Sequence, residues 1–299
     1  MTRMHRRRFL TIAAASAAVP AGLSHAATVT ETAKWQGVAL GAPAQMSLVG
    51  LTEVQAAPIV AAVTAELDRL EGIFSLYRDS ELTQLNRDGV LSAPSADLLN
   101  VLELSDALNK ASGGAFDPTV QPLWLAKGGQ GDVTDAKARV GWDKVAFDAN
   151  EVRFGAEGMA LTLNGVAQGY VTDRVAAILR DAGLKDVLLD MGEVAALGHR
   201  ADGAKWTAGV STPAGDVVAR VKLTDRALAT SAPMATVLSG SDAHIFRPDG
   251  QEGALELASV SAPSAAVADG LSTALCLVDE ATAHAMVAQF AGARIETTA

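Results

Sequence analysis

Residues 160–191 read ALTLNGVAQGYVTDRVAAILRDAGLKDVLLDM and combine strand, turn and helix signals in one short stretch of chain. We predict a strand over 160–163 that runs into a turn at Gly165. Apolar residues at helical spacing predict a helix over 166–182, and the apolar run 186–191 predicts a buried strand. The fold must therefore accommodate helix and strand as close neighbours along the chain.

Helices and strands also mix irregularly on both sides of this unit. Before it, we predict a strand pair or one bent strand over 35–50, helices over 54–76 and 95–111, and a hairpin of strands at 145–147 and 152–154. After it, we predict strands over 206–211, 217–223, 235–239 and 256–262, and helices over 264–277 and 280–291. Because no regular β–α–β alternation is present, this order favours an α+β fold over a doubly wound parallel sheet.

The composition is that of a globular protein. The chain has 299 residues, of which 49% are hydrophobic and 19% charged, and this excludes a disordered or low-complexity chain. A single cysteine, Cys276, cannot pair within the chain, so a disulfide scaffold is also excluded. The net charge of −10 and the aromatic content of 4% argue against a nucleic-acid-binding protein.

The first 26 residues read as an export signal that precedes one domain over 27–299. Residues 6–10 read RRRFL and resemble the twin-arginine motif R-R-x-F-L, although an ordinary secretory signal would share the basic start and the apolar run over 9–18. That run is shorter than the roughly 20 apolar residues that a transmembrane helix needs. We therefore expect a periplasmic protein that is exported by the twin-arginine route and is not itself transmembrane.

Two features of the sequence would suit a phosphate and a metal ion. The turn at Gly165 precedes a helix start, where free N–H groups and the helix dipole favour an anion, although such turns also occur without a ligand. Asp269 and Thr273 lie four residues apart on a predicted helix and so share one face. Their hard oxygens suit Mg²⁺, although by spacing alone a solvated Asp beside a Thr bonded to its own helix is the commoner arrangement.

Three further segments carry polar groups that allow more than one interpretation. His244 precedes a turn and is a candidate general base, although a half-buried histidine without a chemical role is commoner at such a position. Tyr77 offers a ring to a flat ligand, and its segment also predicts a helix that begins after the N-cap Ser80. In residues 112–120, SGGAFDPTV, the glycines allow a close backbone approach and Asp117 is a candidate helix cap.

Five motifs occur in the order and wording of one known family. They are SLYRDSELTQLN at 75–86, SGGAFDPTV at 112–120, LNGVAQGY at 163–170, HIFRP at 244–248 and APSAAVADGLSTAL at 262–275. On these motifs the chain resembles the ApbE family, the FAD:protein FMN transferases. The resemblance covers about residues 35–290, which is nearly all of the predicted domain.

This resemblance implies an α+β, T-fold-related domain of mixed sheets flanked by helices, with FAD in a central cleft. It implies an enzyme with Mg²⁺ on the FAD pyrophosphate. A Thr or Ser hydroxyl of a partner protein attacks the FMN phosphorus, AMP leaves, and FMN stays attached to the partner. On this resemblance His244 is the candidate base for the attacking hydroxyl.

The resemblance also implies which residues form the site. Asp269, Thr273 and the backbone carbonyl of Gly165 are the expected metal ligands, and Asp269 is also expected to be essential for catalysis. Leu40 and Tyr77 are expected to flank the isoalloxazine ring. The other expected cofactor-binding residues are Ala115, Phe116, Asp117, Thr162, Gln168, Ile245 and Ser272.

The chain departs from the family pattern at several of these positions. The family often has Asp where Thr162 stands, Lys or Glu where Gln168 stands, and Asp where Arg247 stands. The wording NGVAQG at 164–169, together with twin-arginine export, resembles the branch found beside nitrous-oxide reductase systems. In that branch the acceptor would be a membrane-bound flavoprotein with an FMN-binding domain.

Two other functions would use much of the same site. One is a Mg²⁺-dependent FAD pyrophosphatase, in which water replaces the partner hydroxyl. The other is a periplasmic carrier that holds and delivers FAD without chemistry. The two enzymes require the metal pair Asp269 and Thr273, whereas carriage does not, so substitution of Asp269 discriminates them from the carrier.

Overall fold

The computed structural model describes residues 10–12, 31–240 and 242–299 as an α+β arrangement. The strands are β1 Leu10–Ile12, β2 Thr32–Ala39, β3 Ala42–Val49, β4 Val90–Ser92, β5 Val145–Phe147, β6 Glu151–Phe154, β7 Val187–Asp190, β8 Val194–Leu197, β9 Trp206–Ser211, β10 Val217–Leu223, β11 Arg226–Ser231, β12 Ala258–Ala262 and β13 Arg294–Thr298. The helices are α1 Glu53–Phe74, α2 Glu81–Asp88, α3 Ala96–Ala111, α4 Gln121–Lys127, α5 Val133–Ala138, α6 Ala167–Asp181, α7 Ala265–Leu275 and α8 Glu280–Val287.

The centre of the fold is a seven-stranded sheet with the order β13-β12-β11-β8-β7-β3-β2. Every neighbouring pair in this sheet is antiparallel. Antiparallel neighbours need no helical crossover between them. The predicted α+β class is therefore confirmed over a doubly wound parallel sheet.

The central sheet is buried on both faces in its middle strands β7, β8 and β12. Helices α1, α6 and α7 contact it on one side, where Leu189 of β7 joins Val171 of α6 and Leu271 of α7 in the main apolar cluster. Leu188, the neighbouring residue of β7, points the other way and packs with Trp206 of β9. Successive strand residues face opposite sides of a sheet, so β7 carries apolar residues for both layers.

The described residues also form two small sheets. One has the order β1-β9-β10 and the other the order β4-β6-β5. Strand β1 falls within the predicted leader, 1–26, and pairs antiparallel with β9; the rest of the predicted leader lies outside the described residues. Among the described residues, no helix is both long enough and apolar enough to cross a membrane.

The hairpin of β2 and β3 turns at Leu40 and Gly41, so residues 35–50 form a strand pair rather than one bent strand. Both turn residues have positive φ angles, 47° and 77°. Positive φ at both positions is typical of the type I′ turn, whose twist matches that of a hairpin. Glycine adopts this conformation freely, whereas Leu40 adopts it against its intrinsic preference.

Elements that local signals define lie close to their predicted positions. Helix α1 differs by one residue at its start and by two at its end from the predicted range 54–76. Ser95 caps α3 as predicted by accepting a hydrogen bond from Leu98 N at 3.2 Å, and Ser80 caps α2. Strands β9 and β10 have the predicted bounds.

The predicted strand over 160–163 is wrong. This segment belongs to no sheet within the described part of the chain. The side chain of Asn86 bonds both backbone groups of Leu161, at 2.7 and 2.9 Å, and Thr162 N donates to Pro118 O at 2.8 Å. A side chain and a loop thus satisfy backbone groups that a neighbouring strand would otherwise have to satisfy.

The predicted strand over 235–239 is also wrong, and the last predicted helix is too long. Residues Pro233–Ala235 form a 3₁₀ turn, and only a single bridge joins Val237 to Ala243. Proline cannot donate to a sheet ladder, which disfavours a strand that begins here. Helix α8 ends at Val287, four residues before the predicted end.

Two strands in the middle of the central sheet were not predicted. Strand β8 reads VAAL and strand β11 reads RALATS, and both are rich in alanine. Alanine is depleted in strands because it offers little side-chain area for cross-strand packing. These strands form because the sheet and helices around them bury them, which no local signal reports.

Candidate functional site

The N-terminus of α6 is capped by a residue of another helix. Its own N-cap residue, Val166, supplies no side-chain hydrogen bond. Instead, Oδ2 of Asp269 on α7 accepts a hydrogen bond from Gly169 N at 2.9 Å. Asp269 is only 4% exposed, so a buried carboxylate complements the positive end of α6.

Helices α6 and α7 approach each other closely where Gly169 lies. A Cβ atom on Gly169 would stand 2.3 Å from the backbone oxygen of Ala265, far inside normal contact. One turn further along α6, Asp173 accepts hydrogen bonds from Ala265 N at 2.7 Å, Ala266 N at 3.0 Å and Ser264 Oγ at 2.6 Å. Each helix therefore supplies a carboxylate to the N-terminus of the other, an arrangement that the sequence analysis missed.

The three predicted metal ligands lie together at this contact. Thr273 follows Asp269 by one turn on α7. A Cβ atom on Gly165, in the turn before α6, would stand 3.1 Å from Thr273 Oγ1. The structure thus brings the Asp269 carboxylate, the Thr273 hydroxyl and the Gly165 backbone to one place, and their binding of a metal stays a prediction.

The donor chemistry of this set fits Mg²⁺. The set offers one carboxylate, one hydroxyl and one carbonyl, which are all hard oxygen donors. The described residues contain no cluster of three or more His, Cys, Asp or Glu side chains that could hold a metal ion. Mg²⁺ commonly keeps several waters and binds through one or two carboxylates plus substrate phosphates, so a small protein donor set is sufficient for it.

Ser231 links the Thr273 hydroxyl to that of Ser272. Ser231, the last residue of β11, has its Oγ 3.2 Å from Thr273 Oγ1 and 2.8 Å from Ser272 Oγ. Ser272 is fully buried, and its Oγ donates to the backbone oxygen of Asp269 at 3.0 Å. Ser272 was predicted to lie at the site, whereas no local pattern distinguishes Ser231 from the other hydroxyl residues of the chain.

His244 is held by contacts with the backbone just beyond the end of β11. Its Nδ1 lies 2.6 Å and its backbone N 3.0 Å from the carbonyl oxygen of Pro233, which is two residues after Ser231. Because a carbonyl oxygen only accepts, Nδ1 carries a proton and the neutral ring has its lone pair on Nε2. The candidate base is therefore half-buried near the end of β11 that carries Ser231, and its role stays a prediction.

Gln168 contacts a second turn that the sequence analysis missed. A Cβ atom on Gly192 would stand 1.9 Å from Nε2 of Gln168, so the amide lies over this glycine. Gly192 has a φ of 105° and lies in the β7–β8 turn between Asp190 and Glu193, which are 2% and 9% exposed. Gln45 donates to Asp190 at 3.3 Å. The sequence signal for this turn is a glycine with an acidic residue close on each side, between two apolar runs.

Asp117 stabilises its own loop through hydrogen bonds. Its Oδ1 accepts from the N and the Oγ1 of Thr119 at 2.8 and 2.6 Å, and its Oδ2 accepts from Trp142 N at 3.2 Å. Burial raises the pKa of this carboxyl above its ordinary value, and these hydrogen bonds oppose that rise. The predicted capping role is confirmed. Contact with the nucleotide, expected also for the buried neighbours Ala115 and Phe116, stays a prediction.

The remaining predicted residues lie on loops and turns outside the α6–α7 contact. Tyr77 is 78% exposed on the loop between α1 and α2, where its ring is open to a flat ligand. Leu40 at the hairpin tip and Ile245 beside His244 are partly buried against the main apolar cluster. Thr162 is half-buried, and its Oγ1 accepts from Asn164 N at 3.3 Å. Their predicted contacts with the cofactor stay predictions.

Comparisons with known proteins agree with this geometry. The model of the ApbE family matches residues 40–295. A Haemophilus influenzae protein named FAD:protein FMN transferase is 29% identical over 73% of this chain and 72% of its own length. A Klebsiella pneumoniae protein of the same name is 26% identical over 91% of this chain and 84% of its own length.

Solved structures share the fold. The apo form of Pseudomonas stutzeri flavinyl transferase ApbE superposes with a TM-score of 0.73 at 26% identity, over 86% of this chain and 88% of that chain. The flavin transferase ApbE of Vibrio cholerae superposes with a TM-score of 0.76 at 24% identity, over 87% and 91%. With a family model that matches nearly the whole described domain and a fold that agrees, this chain belongs to the ApbE family.

Proposed function

We propose that this flavin transferase uses Mg²⁺ to transfer FMN from its substrate FAD to a Thr or Ser hydroxyl of an acceptor flavoprotein, with release of AMP. Flavin transfer is supported by the curated relatives named FAD:protein FMN transferase. The observation that carries the finer proposal is the meeting of Asp269, Thr273 and Gly165 at the N-terminus of α6.

The start of α6 would be a poor pyrophosphate site without a cation. Asp269 already places a buried negative charge there. Two like charges about 4 Å apart repel by roughly 4 kcal/mol at an effective dielectric constant of 20. Asp269, Thr273 and the Gly165 carbonyl would hold Mg²⁺, which when bound neutralises pyrophosphate charge and polarises the phosphorus.

The attacking hydroxyl needs a base because its own pKa is high. In the proposed reaction His244 Nε2 accepts the hydroxyl proton as the oxygen bonds to the FMN phosphorus. The bond from that phosphorus to the AMP phosphate oxygen breaks, and AMP leaves with the electron pair. The hydrogen bond from Nδ1 to Pro233 supports this role because it holds the ring in the tautomer that accepts at Nε2.

The proposal puts the isoalloxazine ring between Tyr77 and Leu40. Tyr77 presents an exposed ring, and aromatic rings stack favourably in offset arrangements. Leu40 is held at the tip of the β2–β3 hairpin by a turn that leaves it little freedom. The buried loop residues Ala115, Phe116 and Asp117, with Thr162, Gln168, Ile245 and Ser272, would line the rest of the FAD site.

We also propose where the reaction takes place. The RRRFL motif at 6–10 supports twin-arginine export, which would deliver a folded protein to the periplasm. The acceptor is proposed to be a membrane-bound flavoprotein with an FMN-binding domain, as in the branch beside nitrous-oxide reductase systems. The NGVAQG wording at 164–169 supports that branch.

A fluorescent-band assay tests the transferase. The protein is mixed with FAD, Mg²⁺ and an FMN-binding acceptor domain, and the products are separated on a denaturing gel. We expect a flavin-fluorescent acceptor band that EDTA abolishes and that Asp269→Ala does not form. Asp181→Ala, at the exposed C-terminal end of α6, serves as the matched control and should form the band.

Other results would identify one of the two alternative functions. AMP and FMN released without an acceptor band would identify a pyrophosphatase. FAD that stays bound without AMP release, even with the native acceptor, would identify a carrier. An Asp269→Ala protein that modifies the acceptor as well as the wild type does would contradict the proposed metal site.

A further inference from the structure

We propose that Ser231 is a positioning residue that orients the Thr273 hydroxyl, so that a lone pair of Thr273 Oγ1 is presented to the divalent cation. This inference rests on the proposed function, because it concerns a ligand of the proposed Mg²⁺ site. It assigns a role to a residue of β11 that lies 42 positions from Thr273 in the sequence.

Three hydroxyl groups and one carbonyl form a continuous hydrogen-bonded chain. Thr273 Oγ1 lies 3.2 Å from Ser231 Oγ, which lies 2.8 Å from Ser272 Oγ. Ser272 Oγ lies 3.0 Å from the backbone oxygen of Asp269. Three hydroxyl protons are thus available for three contacts.

The carbonyl at the end of the chain determines the direction of every proton. A carbonyl oxygen can only accept, so Ser272 must donate its single proton to Asp269 O. Ser231 must then donate to Ser272, and Thr273 must donate to Ser231. If the three hydroxyls donated in the opposite direction, Ser272 would donate to Ser231, and no proton would remain for its contact with Asp269 O.

This direction prepares Thr273 for a cation. A hydroxyl that binds a metal ion must turn its proton away and its lone pair towards the metal. The chain places the Thr273 proton on the Ser231 side. Gly165 lies against the Thr273 side chain, and the absence of a Cβ there leaves the backbone close to Oγ1.

The hydrogen-bonded hydroxyls are also well shielded from water. Ser272 has no exposed surface, and the buried Cys276 thiol lies 3.3 Å from the backbone oxygen of Ser272 and 3.6 Å from that of Ser231. The groups that define the proton direction are therefore held by α7 and the end of β11 together. Water has little access to Ser272 and cannot readily reverse the order there.

Metal affinity is the direct test. Mn²⁺, a paramagnetic substitute for Mg²⁺, is titrated into the full protein with saturating FAD, and free Mn²⁺ is followed by electron paramagnetic resonance. We expect Ser231→Ala to weaken Mn²⁺ binding on the order of tenfold, which is the usual loss when a residue behind a metal ligand is removed. Ser231→Thr keeps the hydroxyl and should recover most of the affinity. FAD binding without metal should not change in either variant.

A buried serine of the neighbouring strand provides the matched control. Ser259 on β12 is fully buried and bonds Thr230 Oγ1 at 2.9 Å and Ala229 O at 3.2 Å, outside the chain that reaches Thr273. Ser259→Ala should lower the melting temperature without changing the Mn²⁺ affinity of the folded protein. Equal weakening in Ser231→Ala and Ser259→Ala would overturn the inference, because it would show a general packing effect.

The Asp269→Ala protein separates the metal site from the role of Ser231. If it still binds Mn²⁺ like the wild type, the proposed metal site itself is wrong. If it loses Mn²⁺ while Ser231→Ala binds with wild-type affinity, the metal site stands and the positioning role of Ser231 is overturned. Weakening in Ser231→Ala, recovery in Ser231→Thr and loss in Asp269→Ala together would establish that role.

Discussion

Asp269 stabilises the fold independently of any ligand. It caps α6 through Gly169 N, and its neighbour in space, Thr273, lies against the turn that leads into the same helix. The carboxylate is buried, so removing it would leave Gly169 N without this partner as well as change the charge of the site. A loss of activity in Asp269→Ala must therefore be compared with its loss of stability.

Gly169→Ala should destabilise the protein, because the added Cβ would stand 2.3 Å from Ala265 O and the two helices would have to separate. We expect a loss of about 1–3 kcal/mol in the free energy of unfolding. Gly72→Ala is the matched control, since a Cβ there, in the last turn of α1, meets nothing within 4 Å. It should stabilise the protein by about 0.5–1 kcal/mol. Urea unfolding of both variants measures the difference, and equal effects would contradict the close approach.

At the scale of elements, α6 and α7 stabilise each other, because each places a carboxylate at the N-terminus of the other. Asp269 of α7 bonds the start of α6, and Asp173 of α6 bonds the start of α7. Helix starts favour negative charge because of their free N–H groups and dipole. The site thus lies between two helix ends that are each anchored by the other helix.

Asp173→Ala should loosen the start of α7 because it removes three hydrogen bonds to Ser264, Ala265 and Ala266. We expect a loss of about 1–3 kcal/mol, as for buried polar groups left without partners. Hydrogen exchange should speed up most in the first turn of α7. Ser264→Ala removes the local N-cap and only one of these three bonds, so its effect should be smaller, about 1 kcal/mol. Unchanged exchange in Asp173→Ala would contradict the cross-helix cap.

An ion pair within α1, with a further contact from α6, predicts a pH dependence. The Arg69 guanidinium, bonded at 2.8 Å, holds the pKa of Glu66 below its ordinary value, with a further contribution from Arg174. A lowered carboxyl pKa contributes stability above the ordinary pKa of glutamate, about 4.3, and loses it as the pH falls through the lower folded value. The stabilisation is modest because the ion pair reaches solvent.

Arg69→Met removes the partner of Glu66 and also that of Asp97, which Arg69 bonds at 2.7 Å. It should therefore be less stable than the wild type at pH 7, and the gap should shrink as the pH falls from about 5 to 3. Thermal unfolding across that range measures the gap. The exposed Arg220 on β10 provides the control, and Arg220→Met should show no such change with pH. A gap between wild type and Arg69→Met that is constant with pH would contradict the assignment.

At the scale of the whole molecule, the turns of the candidate site lie at the ends of strands of the central sheet. Ser231 ends β11, and Gly192 lies in the turn from β7 to β8, which is the neighbour of β11. Helices α6 and α7 lie on the same sheet and bring Gln168 and Thr273 to these turns. Residues far apart in the chain therefore share one polar region around the start of α6.

The predicted export route is a property of the whole chain and can be tested in cells. Changing both Arg6 and Arg7 to Lys should block export through a twin-arginine translocase and leave folded protein in the cytoplasm. Arg8→Lys, which changes the variable position of the motif, is the matched control and should still be exported. Cell fractionation measures both, and normal export of the double variant would favour an ordinary secretory signal.

The sequence alone determined the elements whose signals are local. The cap Ser95, the helical spacing in α1 and the apolar patterns of β9 and β10 predict those elements nearly to the residue, because capping and periodicity act over a few positions. It also placed Asp269 and Thr273 on one helix face, and its motifs by themselves indicated the family to which the chain belongs.

Only the tertiary structure decided which faces meet. Strand β11 is too rich in alanine for its local sequence to predict a strand. Residues 160–163 resemble a strand in sequence, but in the structure the side chain of Asn86 bonds the backbone of Leu161. The contact of Gly169 with Asp269 joins residues 100 positions apart, and that of Ser231 with Thr273 joins residues 42 apart. Such contacts depend on packing of the whole chain, because a hydrogen bond between distant residues has no signature in the sequence around either one.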